Sequence, residues 1–292
     1  MIYDVRQTTD CTYASPVTNA YHVLRQTPVN RPGQRVQISS LQIAPEPVSR
    51  REGQDFFGNR LTWVALEEAH DTLTVKVSAR IAVEPVVIPP GVARLAWEAV
   101  REEVFASADL GPTAPAHFLF PSRMVSLDPE IRDYARASFP PGRSMVEAAT
   151  ELTHRIKTDM TYEFGATTVR TTPPMSFALR RGVCQDFAHI MISGLRGLGL
   201  PAAYVSGYLR THRPPGAERL QGADAMHAWV LVWCGAAIGW IGFDPTNDMI
   251  ASDEHIVLAI GRDYTDVAPM DGVIMVSGGQ RIDVGVTVIP VT

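Results

Sequence analysis
At 292 residues, with 46% hydrophobic and 20% charged side chains, the chain has the balance of an ordinary folded soluble protein, so disorder and a membrane class are both disfavoured. A net charge of -5 and the lack of any Lys/Arg run exclude the electrostatic footprint of a nucleic-acid binder. No segment approaches the roughly 20 apolar residues of a membrane span, and the opening MIYDVRQTTD lacks the cationic and apolar parts of a signal peptide, so a cytoplasmic location without membrane association is expected.

The length gives a soft expectation of two domains. Residues 1 to about 83 read as β, with alternating or β-branched runs at Val17 to Leu24, Arg35 to Ile43, Leu61 to Leu66 and Leu73 to Val83, separated by turn-rich pieces. An antiparallel sandwich follows. Glu84 to Val92, EPVVIPPGV, is too rich in proline for helix or ladder and reads as a linker. Beyond it the period becomes helical at Leu95 to Ala106, Pro129 to Ser138 and Met145 to Met160, with Asp128 and Ser144 as caps. An apolar helix spans residues 183 to 199, ending at Gly197, Gly199 and Pro201. Strands are expected at Ala203 to Tyr208, Ala228 to Trp233 and Trp240 to Phe243, and a closing strand at Arg281 to Val291. Helices followed by strands make the second half α+β, and the division expected is 1–90 and 91–292.

Three cysteines, Cys11, Cys184 and Cys234, are too few for a disulfide framework, and their odd number leaves one free. No CxxC, HExxH or DxDxDG pattern supports a metal, so neither metal nor other cofactor is expected. A thiol attacks a carbonyl as thiolate, and a helix N-terminus and a neighbouring imidazole both favour that form. Cys184 opens the helix that follows Arg181, Gly182 and Val183, where unpaired N–H groups favour an anion and can also face an oxyanion. Most lone cysteines are buried hydrophobes, and position alone does not decide between the two. His189 lies off the face of Cys184 and is expected to pack. His227 begins one strand and Asp244 ends the next, so pairing of those strands would let the acid orient the histidine. Singly, His227 reads as a half-buried strand histidine and Asp244 as a turn acid before Pro245. Together with Cys184 they form a candidate relay.

The segment RRGVCQDFAHIMISGLRGLGLPAAYVSGYL, Arg181 to Leu209, resembles the nucleophile block of bacterial transglutaminase-like proteins, and MHAWV and GWIGFDPTND resemble the family's next two blocks in order. IGRDYTDVAP, Ile260 to Pro269, resembles a further block, and the FGN ending at Asn59 resembles the family's β-rich N-terminal domain. The resemblance implies a papain-like core whose nucleophile helix packs on an antiparallel sheet, with Cys184 as nucleophile, His227 as base and Asp244 as orienting acid. It implies acyl transfer from a glutamine side chain or peptide amide through a thioester, with a protein or peptide as substrate. One departure is Leu231, where the family often carries an acid after HAW. The same triad in water gives a cysteine peptidase or amidase, and Trp229, Tyr204, Tyr208 and Trp240 serve equally as acceptor channel or as core. A non-catalytic peptide- or protein-binding module is a third reading.

Overall fold
The computed structural model describes residues 1–89, 91, 94–211, 225–275 and 277–291. In chain order they form β1 (Ile2–Val17), β2 (Asn19–Leu24), β3 (Gln34–Ala44), β4 (Ser49–Gln54), β5 (Arg60–Leu66), β6 (His70–Val83), α1 (Trp97–Ala106), α2 (Pro129–Arg136), α3 (Met145–Asp159), β7 (Thr161–Tyr162), α4 (Pro173–Leu179), β8 (Arg181–Gly182), α5 (Cys184–Gly197), β9 (Ala202–Leu209), β10 (Ala225–Trp233), β11 (Trp240–Asp244), β12 (Met249–Ile250), β13 (His255–Gly261), α6 (Tyr264–Val267), β14 (Met270–Met275) and β15 (Gln280–Pro290). The fold is α+β with antiparallel sheets, as the sequence led us to expect. No described helix is long and apolar enough to cross a membrane.

Two four-stranded antiparallel sheets, ordered β15-β1-β6-β3 and β14-β2-β5-β4, pack face to face. Leu73, Val75 and Val77 of β6 meet Ala20 and Leu24 of β2 and Val64 and Leu66 of β5 in that interface. The long strands continue past the sandwich. Tyr3 and Val5 of β1 and Ala79, Ile81 and Val83 of β6 pack instead on Tyr208, Ile256 and Leu258 of a third sheet. At roughly 1.5–3 kcal/mol for each large apolar side chain fully buried, this second contact ties the two halves firmly together.

The expected division into 1–90 and 91–292 is not followed by the strand pairing at the C-terminal end. β15 runs antiparallel to β1 from Tyr3↔Pro290 to Tyr13↔Gln280, and β14 pairs with β2, so residues 270–290 complete the N-terminal sheets rather than the core. The linker is described as far as residue 89 and lacks helix or strand there, whereas Pro90 and Val92 lie outside the described residues.

The third sheet, ordered β12-β11-β10-β9-β13, carries α5 on one face. Phe187, Ala188, Met191 and Leu195 of α5 interlock with Tyr204, Val230, Val232 and Phe243, while Ile131 of α2 and Leu152 of α3 close the other side of the helix. α5 is buried on nearly every face and sits at the centre of the core, its polar residues Gln185, Asp186, His189, Ser193 and Arg196 included.

The edge strand β13 has no strand neighbour beyond β9 among the described residues, and two side-chain amides serve as one. Gln34 Nε2 donates to Val257 O and its Oε1 accepts from Val257 N, both at 2.8 Å. Asn59 does the same at Ile260, donating to its O at 2.7 Å and accepting from its N at 2.8 Å, while Arg31 and Asp55 hold the Asn59 amide from behind. Asn59 is fully buried. Asn59→Ala would orphan a buried backbone pair, and is expected to lower stability by about 2–4 kcal/mol at unchanged urea m-value. An unchanged urea midpoint would show that the clamp contributes nothing.

Candidate active site
Short-range constraints hold Cys184 at the first position of α5. Arg180 ends α4 in a left-handed conformation (φ 54°), its guanidinium 4.0 Å over the Phe177 ring, and turns the chain into β8. There Gly182 pairs with Tyr162 of β7 in parallel register. A Cβ on Gly182 would lie 2.5 Å from Asp186 Oδ2, so only glycine allows this approach. That carboxylate accepts the Val183 N–H at 2.8 Å and the Thr167 hydroxyl at 2.6 Å, closing the helix start and pinning the preceding loop. Gln185 Nε2 adds a bond to Val169 O. Cys184 is half-buried with a free thiol, while Cys11 and Cys234 are buried and unpaired.

Pairing of β10 with β11 (Val230↔Phe243) brings the start of one strand beside the end of the other. His227 Nε2 donates to Asp244 Oδ2 at 2.7 Å, and Cys184 lies near enough to the imidazole to favour its charged form. With Nε2 committed to the acid, Nδ1 is the nitrogen left for the thiol. The three predicted residues are therefore together, and their order thiol, imidazole, carboxylate is the one the spacing suggested. Asp244 also acts as the turn acid before Pro245, its Oδ1 accepting from Thr246 N at 2.9 Å and Asn247 N at 3.2 Å. The two roles use different oxygens of one fully buried carboxylate.

Two participants were not read from the sequence. Asn247 Nδ2 donates to Asp244 Oδ2 at 2.7 Å, and His255 Nε2 reaches the same oxygen at 3.1 Å. Asn247 had a local signal in its position three residues beyond the acid, typical of Asx turns. For His255 the only local cue was the apolar run HIVLAIG, which is β13.

Burial opposes charge on His227, but its hydrogen bonds with Asp244 and Cys184 prevail and hold it at about 9 against an ordinary 6.5. Burial likewise penalises the Asp244 carboxylate, and the bonds from His227, His255 and Asn247 outweigh that and keep it well below its usual 3.8. Stability contributed through His227 is thus complete below pH 6.5 and lost as pH rises through about 9. That from Asp244 is complete above pH 3.8 and lost on further acidification. The stability difference between wild type and His227→Gln is expected to be on the order of 3 kcal/mol between those limits and to shrink by pH 10. Urea midpoints across pH give it directly, and a difference that grew with pH would contradict the charged pair.

His189 does not join the group. It is 1% exposed, accepts from Tyr264 N at 3.3 Å and lies 5.0 Å from the Tyr204 ring, and burial drives it down to about 4. Of the four aromatics weighed for an acceptor channel, Trp229, Tyr204 and Tyr208 are buried, Tyr208 donating to Gln7 in β1 at 2.6 Å, and Trp240 Nε1 donates to Thr113 O. Leu231 lines a small cavity with Arg31, Phe57, Phe118 and Trp240. For a metal, His227, Asp244 and His255 offer ligand atoms within 4.8 Å of one another, but both Nε2 atoms are engaged as donors to one carboxylate oxygen.

Residues 3–82 match the bacterial transglutaminase-like N-terminal region and residues 132–245 match the transglutaminase-like superfamily. An uncharacterized protein of Mycobacterium tuberculosis is 39% identical over 297 residues, covering 99% of this chain and 92% of the relative. The chain belongs to the transglutaminase-like superfamily. A Mycobacterium leprae relative is 32% identical over 290 residues, with 97% of each chain covered. The crystal structure of a "putative cysteine protease" from Cytophaga hutchinsonii shares the fold at a TM-score of 0.72 and 21% identity, covering 100% of this chain and 92% of that one. Membership of the transglutaminase-like superfamily supports a cysteine-dependent enzyme, and Cys184, His227 and Asp244 all fall within the matched core, whereas Asn247 and His255 lie beyond it.

Proposed function
We propose that the protein is a thiol acyltransferase acting on amide groups of proteins or peptides, with Cys184 as nucleophile, His227 as base and acid, and Asp244 as the orienting group. The observation that carries this is one imidazole hydrogen-bonded to a fully buried carboxylate, with the helix-terminal Cys184 beside it and favouring its charged form. Cys184 sulfur forms a bond to the amide carbon. The backbone N–H of Cys184, with no helical carbonyl before it to accept, faces the developing oxyanion. The intermediate collapses by breaking the C–N bond as His227 Nδ1–H protonates the departing nitrogen, leaving a thioester. An amine then attacks, His227 takes its proton, and the new amide departs with the thiol regenerated. Residues, donor and acceptor supply every proton and electron pair, so the reaction as written calls on no cofactor. Because the thiol must stay reduced, we place the protein in a reducing compartment, the cytoplasm.

Incubation with a glutamine-rich protein and a labelled primary amine, followed by mass spectrometry with Cys184→Ala as blank, tests this. Cys184-dependent amine incorporation is expected. Cleavage or deamidation without incorporation would make the protein a hydrolase, and no difference from the blank over a broad substrate panel would leave a binding module. Because the leaving group takes its proton from His227, kcat/KM is also expected to fall as pH rises through about 9. A profile flat to pH 10 would remove His227 from the proton transfer.

A further inference from the structure
Asp244 takes hydrogen bonds from two histidines, and only one of them touches Cys184. His255 opens β13, is 4% exposed, and places Nε2 3.1 Å from the same Oδ2 that binds His227. The proton on its ring is fixed by a neighbour: Ser252 N–H points at His255 Nδ1 at 3.4 Å. A backbone N–H can only donate, so Nδ1 is the acceptor and the neutral ring carries its hydrogen at Nε2, aimed at the carboxylate. The Trp229 ring packs edge-on against His255 at 5.1 Å and stacks with His227 at 6.1 Å, so one indole sets the tilt of both imidazoles. On its other side His255 walls a cavity of about 140 Å³, lined also by Ser252, Val83 and Val86, from the carboxylate.

We propose that His255 is a positioning residue: it donates to Asp244, keeps that acid from turning toward the cavity, and so holds His227 in line with Cys184. The proposal rests on the Cys184–His227–Asp244 reading and extends it to a fourth side chain outside the matched family core. His255 and Asn247 hold Oδ2, the oxygen that receives His227, while the turn amides of Thr246 and Asn247 hold only Oδ1. With either side-chain donor gone, Oδ2 is held less tightly in line with His227.

The test uses iodoacetamide, which reports on Cys184 without any knowledge of substrate. Alkylation rates are measured from pH 5 to 10 for wild type, His255→Leu, His255→Gln and Asp244→Asn, alongside urea midpoints. Leucine fills the cavity wall without an N–H, and glutamine restores a donor at similar reach. Wild type is expected to react well above the rate of free cysteine near pH 6. His255→Leu should be roughly tenfold to a hundredfold slower, the span expected for losing a bond to a charged group, with a profile shifted toward that of Asp244→Asn, and His255→Gln should recover most of the rate. If His255→Leu keeps the wild-type profile while Asp244→Asn loses it, the positioning role is wrong and the triad stands. Equal losses in the leucine and glutamine variants that track a falling midpoint also overturn it, as a purely structural effect. Wild type no faster than free cysteine would instead sink the triad reading itself, and this proposal with it.

Discussion
Asparagine at position 244 is expected to cut Cys184-dependent turnover by about 10³- to 10⁴-fold while leaving the fold intact, the scale of loss seen when an orienting acid becomes an amide. The size of the effect follows from geometry. Asp244 Oδ2 receives His227 Nε2–H at 2.7 Å, which leaves Nδ1 free to exchange a proton with the thiol. An amide cannot accept on both its atoms. If its NH₂ faces His227, the ring must present a bare Nε2 and carry its hydrogen on Nδ1, so it can no longer take a proton from the thiol. If its oxygen faces His227, the NH₂ meets the turn amides of Thr246 and Asn247, which need an acceptor. Either orientation breaks something that the carboxylate satisfies. The same substitution should move the alkaline limb of activity to lower pH, because the Asp244 bond and charge hold His227 near 9. Steady-state kinetics and a melting curve decide it, and a loss below tenfold would mean that Asp244 is a turn residue only.

The second large effect concerns stability at Gly207, in the VSGY segment of β9. Gly207 stands opposite His227 on one side and Val257 on the other. An added Cβ would lie 2.2 Å from Ile256 O and 2.5 Å from the Trp229 ring. Replacing glycine by alanine in a strand ordinarily stabilises by restricting the unfolded chain, by roughly 0.4–1 kcal/mol. Here overpacking reverses the sign, since one obstacle is backbone and the other is an indole locked between two histidines. We expect Gly207→Ala to cost about 3 kcal/mol or more in urea unfolding. Iodoacetamide reactivity should fall with it, as the Trp229 shift misaligns both imidazoles. A variant as stable as wild type would show that the central sheet has slack at this point.

Much of this was legible in the residues. α1, α2, α3 and α5 and the core strands β9, β10 and β11 were legible as local patterns, and Cys184, His227 and Asp244 stood in recognisable blocks because a helix start, a strand start and a strand end are local features. What escaped is what tertiary contact decides. β1 was read only at its end, since its inward positions include Gln7 and Thr9, polar but buried, and that blurs the period-two signal. α4 is seven residues opening on two prolines, too short for a helical period. β4 is solvent-facing along most of its length, so nothing apolar announces it. β13 was hidden behind Asp253 and Glu254, which resemble a loop, and with it went His255. The return of the C-terminal strands to the N-terminal sheets was hidden for a related reason: the alternation of Arg281 to Val291 marks a strand but says nothing of which sheet it joins.

That last pairing has a kinetic consequence. β1 is flanked by β6 and β15, whose first residue lies almost 200 positions beyond the end of β6. At translation speeds of about 5–20 residues per second, roughly 10–40 s separate the making of those two neighbours. Throughout that interval the edge of β1 from Tyr3 to Tyr13 offers unpaired N–H and C=O groups, the arrangement most prone to joining another chain. On the outward face of the strand Arg6, Asp10 and Thr12 are charged or polar, which discourages such encounters until residues 280–290 arrive. Removing β15 would make that temporary exposure permanent, and the shortened protein is expected to self-associate.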